Sequence, residues 1–216
     1  MKVIVEAKAK IMQENETQAK KNQEFFKQNN IFCLNFMSSP GSGKTTLLEA
    51  MIKKNIFKLA VIEGDLETNN DANRIIKAGA KAYQISTGQS CHLDAIMIKK
   101  ALDEFDVKDC NLVVIENIGN LVCPASYLLG ENLNVVLLSA TEGADKVEKY
   151  PVMFKRADIL VLSKMDIAQY FDFDTKHIYE EAKKLNPNVV IFELSAKDDT
   201  NIDKFCAYIK EKMENK

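Results

Sequence analysis

The sequence has no surplus of charge: 29 lysines and arginines stand against 31 aspartates and glutamates, a formal net charge of −2. No long-range field therefore exists to gather nucleic acid or an anionic membrane surface. No apolar run approaches the roughly 20 residues that a bilayer-crossing helix needs. The opening stretch MKVIVEAKAKIMQENE lacks the apolar centre of a secretory signal. The expectation is a cytoplasmic protein with no nucleic-acid partner and no membrane insertion. Cysteine is sparse, and Cys33, Cys91, Cys110, Cys123 and Cys206 are too scattered for a disulfide framework, so thiols are expected. Histidine is scarcer still. Only His92 and His177 occur, and His92 directly follows a cysteine. Gly/Ser linkers, internal repeats and low-complexity tracts are missing too, which leaves one domain as the reading for 216 residues that are 46% hydrophobic.

Residues 1–29 are mostly polar or long-chained, without Pro or Gly. Their sparse apolar positions (Ile4, Ile11, Met12, Phe25, Phe26) predict an accessory amphipathic helix with a narrow buried stripe. From residue 30 to 216 the pattern changes to seven short apolar runs, IFCLNFM, KLAVIEG, KAYQIS, NLVVIEN, NVVLLSA, DILVLS and VVIFELS, separated by stretches of helical spacing. Such alternation predicts an α/β three-layer fold around a mostly parallel seven-stranded sheet.

The first run leads into MSSPGSGKTTLLEA, between a buried strand and a helix start, which is the setting a phosphate-binding P-loop requires. Gly41 and Gly43, with Ser42 between them, let consecutive backbone N–H groups wrap a phosphate. Lys44 supplies charge between the β- and γ-phosphates. Thr45 offers a hydroxyl to Mg²⁺, and Thr46 closes the motif. The pattern GxxxxGK(S/T) is broken only where Ser38 replaces its first glycine. Asp65 falls at the end of the next strand and Asp71 just beyond it, where carboxylates hold Mg²⁺ or position an attacking water. An ordinary surface acid or helix cap is the competing reading of Asp71. Glu116, with Gly119 three residues on, matches an ExxG form of the segment that senses a γ-phosphate.

Two later strand ends suggest the base. Ser163, Lys164 and Asp166 close DILVLSKMD, and Ser195, Ala196 and Lys197 close FELSAK. One carboxylate at Asp166 accepts both the N1–H and N2–H₂ of guanine, a pair that adenine does not present. Lys164 lays its stem over the ring and the Ala196 N–H reaches guanine O6. Ser163 stands where the usual pattern NKxD has Asn.

TGQSCHLDA places Cys91 and His92 in what reads as the first turn of a helix capped by Ser90, where the dipole would lower a thiol pKa. Cys123 follows Gly119 by four residues. Thiolate and imidazole suit Zn²⁺ or Ni²⁺. The spacing is no zinc-finger pattern, however, and free cysteine is commonly buried, so the residues alone leave a metal site and plain core packing both open. Cys33, Cys110 and Cys206 read as core, and His177 as solvated.

Together SSPGSGKTT, EGD, TGQSCHLDA, IENIGNLVCPA, TEGADKVEKYP, LSKMD and LSAK make the sequence resemble the HypB family of hydrogenase-maturation GTPases, of the SIMIBI class, over roughly residues 30–214. The resemblance implies a metallochaperone that hydrolyses GTP to GDP and phosphate and couples nucleotide state and dimerisation to nickel insertion into a nickel–iron hydrogenase. Cys91, His92 and Cys123 would then bind Ni²⁺ or Zn²⁺ at a homodimer interface. Thr45, Asp65 and Glu116 would hold Mg²⁺, and Lys149 would reach the partner subunit's guanine. The N-terminal helix would engage a HypA-type nickel/zinc accessory protein, with the hydrogenase large subunit served indirectly. A related accessory GTPase for urease or another metalloenzyme is the alternative, although a urease accessory protein would show a Cys-Pro-His cluster. The CxxCGC or His-rich N-terminal site of many relatives has no counterpart before Cys33.

Overall fold

All seven apolar runs become strands: β1 (Phe32–Ser38), β2 (Leu59–Asp65), β3 (Lys81–Ser86), β4 (Leu112–Glu116), β5 (Leu133–Ser139), β6 (Ile159–Ser163) and β7 (Val190–Glu193). The computed structural model describes residues 2–65, 70–88 and 90–215, with side chains from residue 9 onward within those ranges. The strand order is β3-β2-β4-β1-β5-β6-β7 and every pairing is parallel. β1 and β4 are buried along their whole length, which is why they read as unbroken apolar runs rather than as alternation.

Among the described residues eight α-helices cover the sheet: α1 (Lys2–Gln28), α2 (Lys44–Lys53), α3 (Asn70–Ala78), α4 (Ala95–Glu104), α5 (Lys146–Lys149), α6 (Pro151–Arg156), α7 (Thr175–Leu185) and α8 (Ile202–Glu214). On one face Leu34, Phe36, Val61 and Val114 pack against Leu48 and Met51 of α2, Ile75 of α3 and Phe205 of α8. On the other, Ile62, Val113 and Ile115 meet Phe26 of α1 and Ile98 of α4, while Val136 and Leu160 meet Phe154 of α6 and Ile178 of α7. Truncating a fully buried side chain such as Leu48 to alanine would cost about 2–5 kcal/mol. A parallel sheet puts every strand's C-terminal end on one edge, so Ser38, Asp65, Glu116, Ser139 and Ser163 share a rim. No helix among the described residues is long and apolar enough to cross a membrane.

The stripe on α1 agrees only in part with the one its apolar residues predict: Phe26 is buried and Met12 and Phe25 are half-buried. Ile11 is 56% exposed, and the buried positions are Asn15, Ala19, Asn22 and Phe26, spaced by four, three and four along one face. Ile4 has its side chain outside the described residues. Two of these four are amides, which a search for apolar periodicity discards. They are buried because each finds backbone partners: Asn22 Nδ2 donates to Ala95 O and Leu129 O, and Asn15 Nδ2 donates to Leu128 O.

Candidate nucleotide and metal sites

At the centre of the rim β1 turns into α2 through Gly41 (φ 74°) and Gly43 (φ 96°), conformations that a Cβ disfavours. Gly43 caps α2 without a side-chain hydrogen bond, which leaves the first N–H groups of the helix to an anion. Lys44 is buried and its Nζ donates to Ser38 Oγ at 3.0 Å. The departure from the usual glycine thus supplies a seat for the lysine. Ser42 Oγ lies 2.8 Å from Ser39 O and 2.6 Å from Glu142 Oε1, acceptors for its one proton. Glu142, just beyond β5, also accepts from Ser139 N at 3.0 Å. The sequence reading gave it no role.

A cavity of about 450 Å³ opens beside this loop, lined by Lys44, Thr45, Thr46, Glu63, Asp65, Asp71, Arg74, Glu116 and Gly119 among others. The Thr45 hydroxyl donates to Glu116 Oε1 at 2.8 Å. Glu63 is the register partner of Glu116 across β2 and β4. Burial, with the Glu116 charge adding to it, pushes the Glu63 carboxyl up to about 11. Glu116 is also raised by burial, against which the Lys44 charge acts. One oxygen of each, Oε2, is buried without a hydrogen-bond partner. Hard oxygens next to a phosphate-shaped loop are the donors that Mg²⁺ takes, so buried Thr45, Glu116 and Glu63 and half-buried Asp65 fit that ion. Glu63 lay unremarked in the motif EGD, although an acid two residues before Asp65 shares its strand face.

Asp71 sits in the first turn of α3 and is 38% exposed. Its Oδ1 pairs with Arg74 Nη1 at 3.1 Å, and Arg74 Nη2 also reaches Glu49 Oε2 at 2.8 Å and Thr46 Oγ1 at 3.1 Å. Arg74 is thus a second cation at the cavity, one the sequence reading did not single out. Gly119 abuts the P-loop itself: a Cβ built there would stand 2.7 Å from Pro40 Cα.

A second cavity, of about 340 Å³, is lined by Ser163, Lys164, Asp166, Ser195, Ala196 and Lys197 and shares Gly43, Thr46 and Lys164 with the first. Lys164 Nζ donates to Gly41 O at 2.7 Å, so its stem crosses the junction of the two. Ser163 Oγ donates to Ser42 O at 2.7 Å, tying the β6 end to the P-loop with a hydroxyl in place of an amide. Asp166 Oδ1 accepts from Ser195 Oγ at 2.9 Å, and Oδ2 lies 3.9 Å from Lys197 Nζ. Lys149 lies away from both cavities, exposed on α5 and paired with Asp145. His177 is half-exposed, 3.5 Å from Glu148.

Cys91, His92 and Cys123 come together, with one donor atom from each within 4.8 Å of the others. The two sulfurs are 2.8 Å apart, and Cys91 Sγ is 3.8 Å from His92 Nδ1. The local structure corrects one expectation. α4 begins at Ala95 and is capped by Asp94, which accepts from Met97 N at 2.8 Å, whereas Ser90 Oγ turns to His92 O. Cys91 therefore lies in the loop ahead of the helix, outside the first turn where the dipole acts. Its thiol is raised rather than lowered, by the hydrogen bond with Cys123 and then by burial. Burial lowers His92, favouring the neutral imidazole that ligates metals. Its ring stacks on Tyr127 with centroids 3.9 Å apart. Asn120 Nδ2 donates to Cys91 O at 3.3 Å, which ties the two segments together. Cys33, Cys110 and Cys206 are buried, and burial pushes the Cys206 thiol up to about 12.

Comparison with known proteins gives a consistent picture. The CobW/HypB/UreG nucleotide-binding domain model matches residues 32–193. A hydrogenase/urease maturation factor HypB from Helicobacter pylori is 46% identical over 207 residues, covering 94% of this chain and 86% of that protein. A crystal structure of HypB from Helicobacter pylori in complex with nickel superposes with a TM-score of 0.90 at 45% identity, over 94% of this chain and 96% of that one. The hydrogenase maturation factor HypB of Archaeoglobus fulgidus gives a TM-score of 0.85 at 39% identity, over 93% and 98%.

Proposed function

Since the chain belongs to the CobW/HypB/UreG family and is a nucleotide-binding maturation factor, we propose that it is a GTPase that hands nickel to a metalloenzyme under nucleotide control. One observation carries the reading. Glu116, Gly119 and Cys123 occupy a single short segment running from the last residue of β4, with its start in the phosphate cavity and its end among the thiol and imidazole donors. The same segment reaches the Cys91 side through Asn117, whose Oδ1 accepts from Leu93 N at 3.2 Å, and through Asn120. A shift of Gly119 on loss of the γ-phosphate would thus be felt at both halves of the metal site.

In this reading the P-loop N–H groups and Lys44 hold the β- and γ-phosphates and stabilise the charge that develops as water attacks in line. Thr45, Asp65 and Glu116, with Glu63 behind them, hold Mg²⁺, which when bound neutralises phosphate oxygens. Asp71, steadied by Arg74, orients the water. Asp166 reads the guanine edge, Lys164 and Ser163 fix the floor beneath it, and Ser195, Ala196 and Lys197 close the far side.

Nickel is cargo. Three donors from one chain leave a four-coordinate ion short by one, which suits an ion that is passed on. A second copy of the chain would complete the site in a GTP-dependent homodimer, with Lys149 reaching across to the other guanine. Residues 30–216 form the GTPase domain and 1–29 the accessory helix that meets a HypA-type partner in the cytoplasm. Hydrogenase is the first recipient; service to urease is a second reading, favoured because the Helicobacter relative is named for both.

The test is a Ni²⁺ titration of the protein loaded with GDP or with a non-hydrolysable GTP analogue, for the parent and Cys123→Ala. The affinities are expected to differ at least about fivefold between nucleotides in the parent, a coupling of ~1 kcal/mol. Cys123→Ala is expected to abolish tight binding in both states. Equal parental affinities would remove the coupling.

A further inference from the structure

Residues 91–95 hang from four asparagines. Asn120 and Asn117, on the segment after β4, hold Cys91 O and Leu93 N. The other two come from α1. Asn15 Oδ1 accepts from Ala95 N at 2.8 Å, and Asn22 Nδ2 donates to Ala95 O at 2.8 Å. The same two amides also grip a second stretch of backbone, Asn15 Nδ2 donating to Leu128 O and Asn22 Nδ2 to Leu129 O, both at 2.9 Å. Those residues directly follow Tyr127, the ring on which His92 stacks. α1 therefore holds both the chain that carries His92 and the chain that carries the face His92 leans on.

The seat is close and stiff. At Gly130 (φ 106°) a Cβ would stand 2.7 Å from Asn22 Cβ and 2.9 Å from Ala19 O, so the loop meets the helix backbone directly. Glu131 Oε2 accepts from Leu129 N at 2.8 Å and Gly130 N at 3.0 Å, which fixes the loop from its other side. Covering a core needs only apolar contact. Two buried amides that each join two separate backbone segments instead specify where those segments stand relative to one another.

We infer that α1 is a brace for the metal segment, with Asn15 and Asn22 as positioning residues that hold His92 where a divalent cation at Cys91, His92 and Cys123 needs it. The inference rests on the reading of those three residues as metal donors. Outer-shell groups that orient a ligand typically tune metal affinity 10- to 100-fold when removed. A partner that lifted α1 would release both supports of His92 together.

The experiment measures Ni²⁺ affinity of the full chain by competition with a chromophoric chelator, alongside GDP affinity, for Asn15→Leu, Asn22→Leu and Cys123→Ala. Each leucine variant is expected to bind Ni²⁺ about 10-fold more weakly or worse while GDP affinity stays within about twofold, a split that general loosening of the fold would not give. Parental Ni²⁺ affinity in Cys123→Ala would overturn the donor reading and the brace with it. Loss in Cys123→Ala beside parental Ni²⁺ affinity in leucine variants that still bind GDP would overturn the brace alone. Should a leucine variant fail to fold, Tyr127→Leu and Tyr127→Phe decide. Weakened Ni²⁺ binding in Tyr127→Leu that Tyr127→Phe restores supports the brace, and parental affinity in Tyr127→Leu overturns it.

Discussion

The two ends of the segment that follows β4 are built on opposite principles. At the phosphate end, Lys44, Thr45, Ser38, Glu63 and Glu116 are all buried on strands or in the first turn of a helix, with Lys44 bonded to Ser38, Thr45 bonded to Glu116 and Glu63 beside Glu116 in the sheet. At the thiol end, Cys91 is exposed, and Cys91, His92 and Cys123 stand on loops held by amide side chains reaching in from elsewhere. Supports within a site preorganise its charge, whereas supports reaching in from other elements make the ligand positions depend on where those elements stand. Under the proposed function, that difference would suit a firm grip on nucleotide and a provisional one on metal.

The largest expected effect sharpens the rigid end. Asp166→Asn removes the carboxylate that would accept two guanine donors, and GTP affinity is expected to fall about 100-fold (~3 kcal/mol) while ATP binding is little changed. Competition of each nucleotide against labelled GDP measures it, and a preserved preference for guanine would show that the base is read elsewhere. Gly119→Ala acts where the ends meet. Its Cβ would collide with Pro40, so the phosphate end should lose about 10-fold in affinity for the GTP analogue and the Ni²⁺ affinities in the two nucleotide states should converge. A parental response there would put the communication on another route.

The smallest effect concerns proton binding. The Glu63 carboxyl sits at about 11 in the folded chain against an ordinary 4.5. Between those values the folded state keeps a proton that the unfolded chain gives up, so this group erodes stability as pH rises through that window. Without Mg²⁺ or nucleotide, Glu63→Gln should flatten the decline and raise the melting temperature by a few degrees at pH 8, about 1–2 kcal/mol, with the gain shrinking toward pH 5. Parallel melting profiles from pH 5 to 9 would show that the pair holds no such proton.

The sheet was readable from sequence because its strands are covered on both faces and appear as unbroken apolar runs, with GSGKTT and CHLDA marking the turns that line the candidate sites. What escaped the reading is polar and tertiary. Glu63, Glu142, Arg74, Asn15 and Asn22 acquire meaning only from a partner distant in sequence, such as Glu116, Ser42, Glu49 or Ala95. Periodicity sees an asparagine on a helix as a solvent position, so the stripe read on α1 found Phe26 but missed Asn15 and Asn22 and wrongly included Ile11. The helix start at Cys91 failed for a related reason. Ser90 and Asp94 are both good caps, and the choice fell to whichever side chain found a free N–H, which was Asp94.

The contact between His92 and Tyr127 has an optical consequence. The chain contains no tryptophan. Placed at position 127, an indole would be its sole long-wavelength emitter, lying flat against the imidazole proposed to bind the metal. Loading and unloading of a paramagnetic ion could then be followed as quenching in real time, with no external dye and no reporter elsewhere in the protein to confuse the signal.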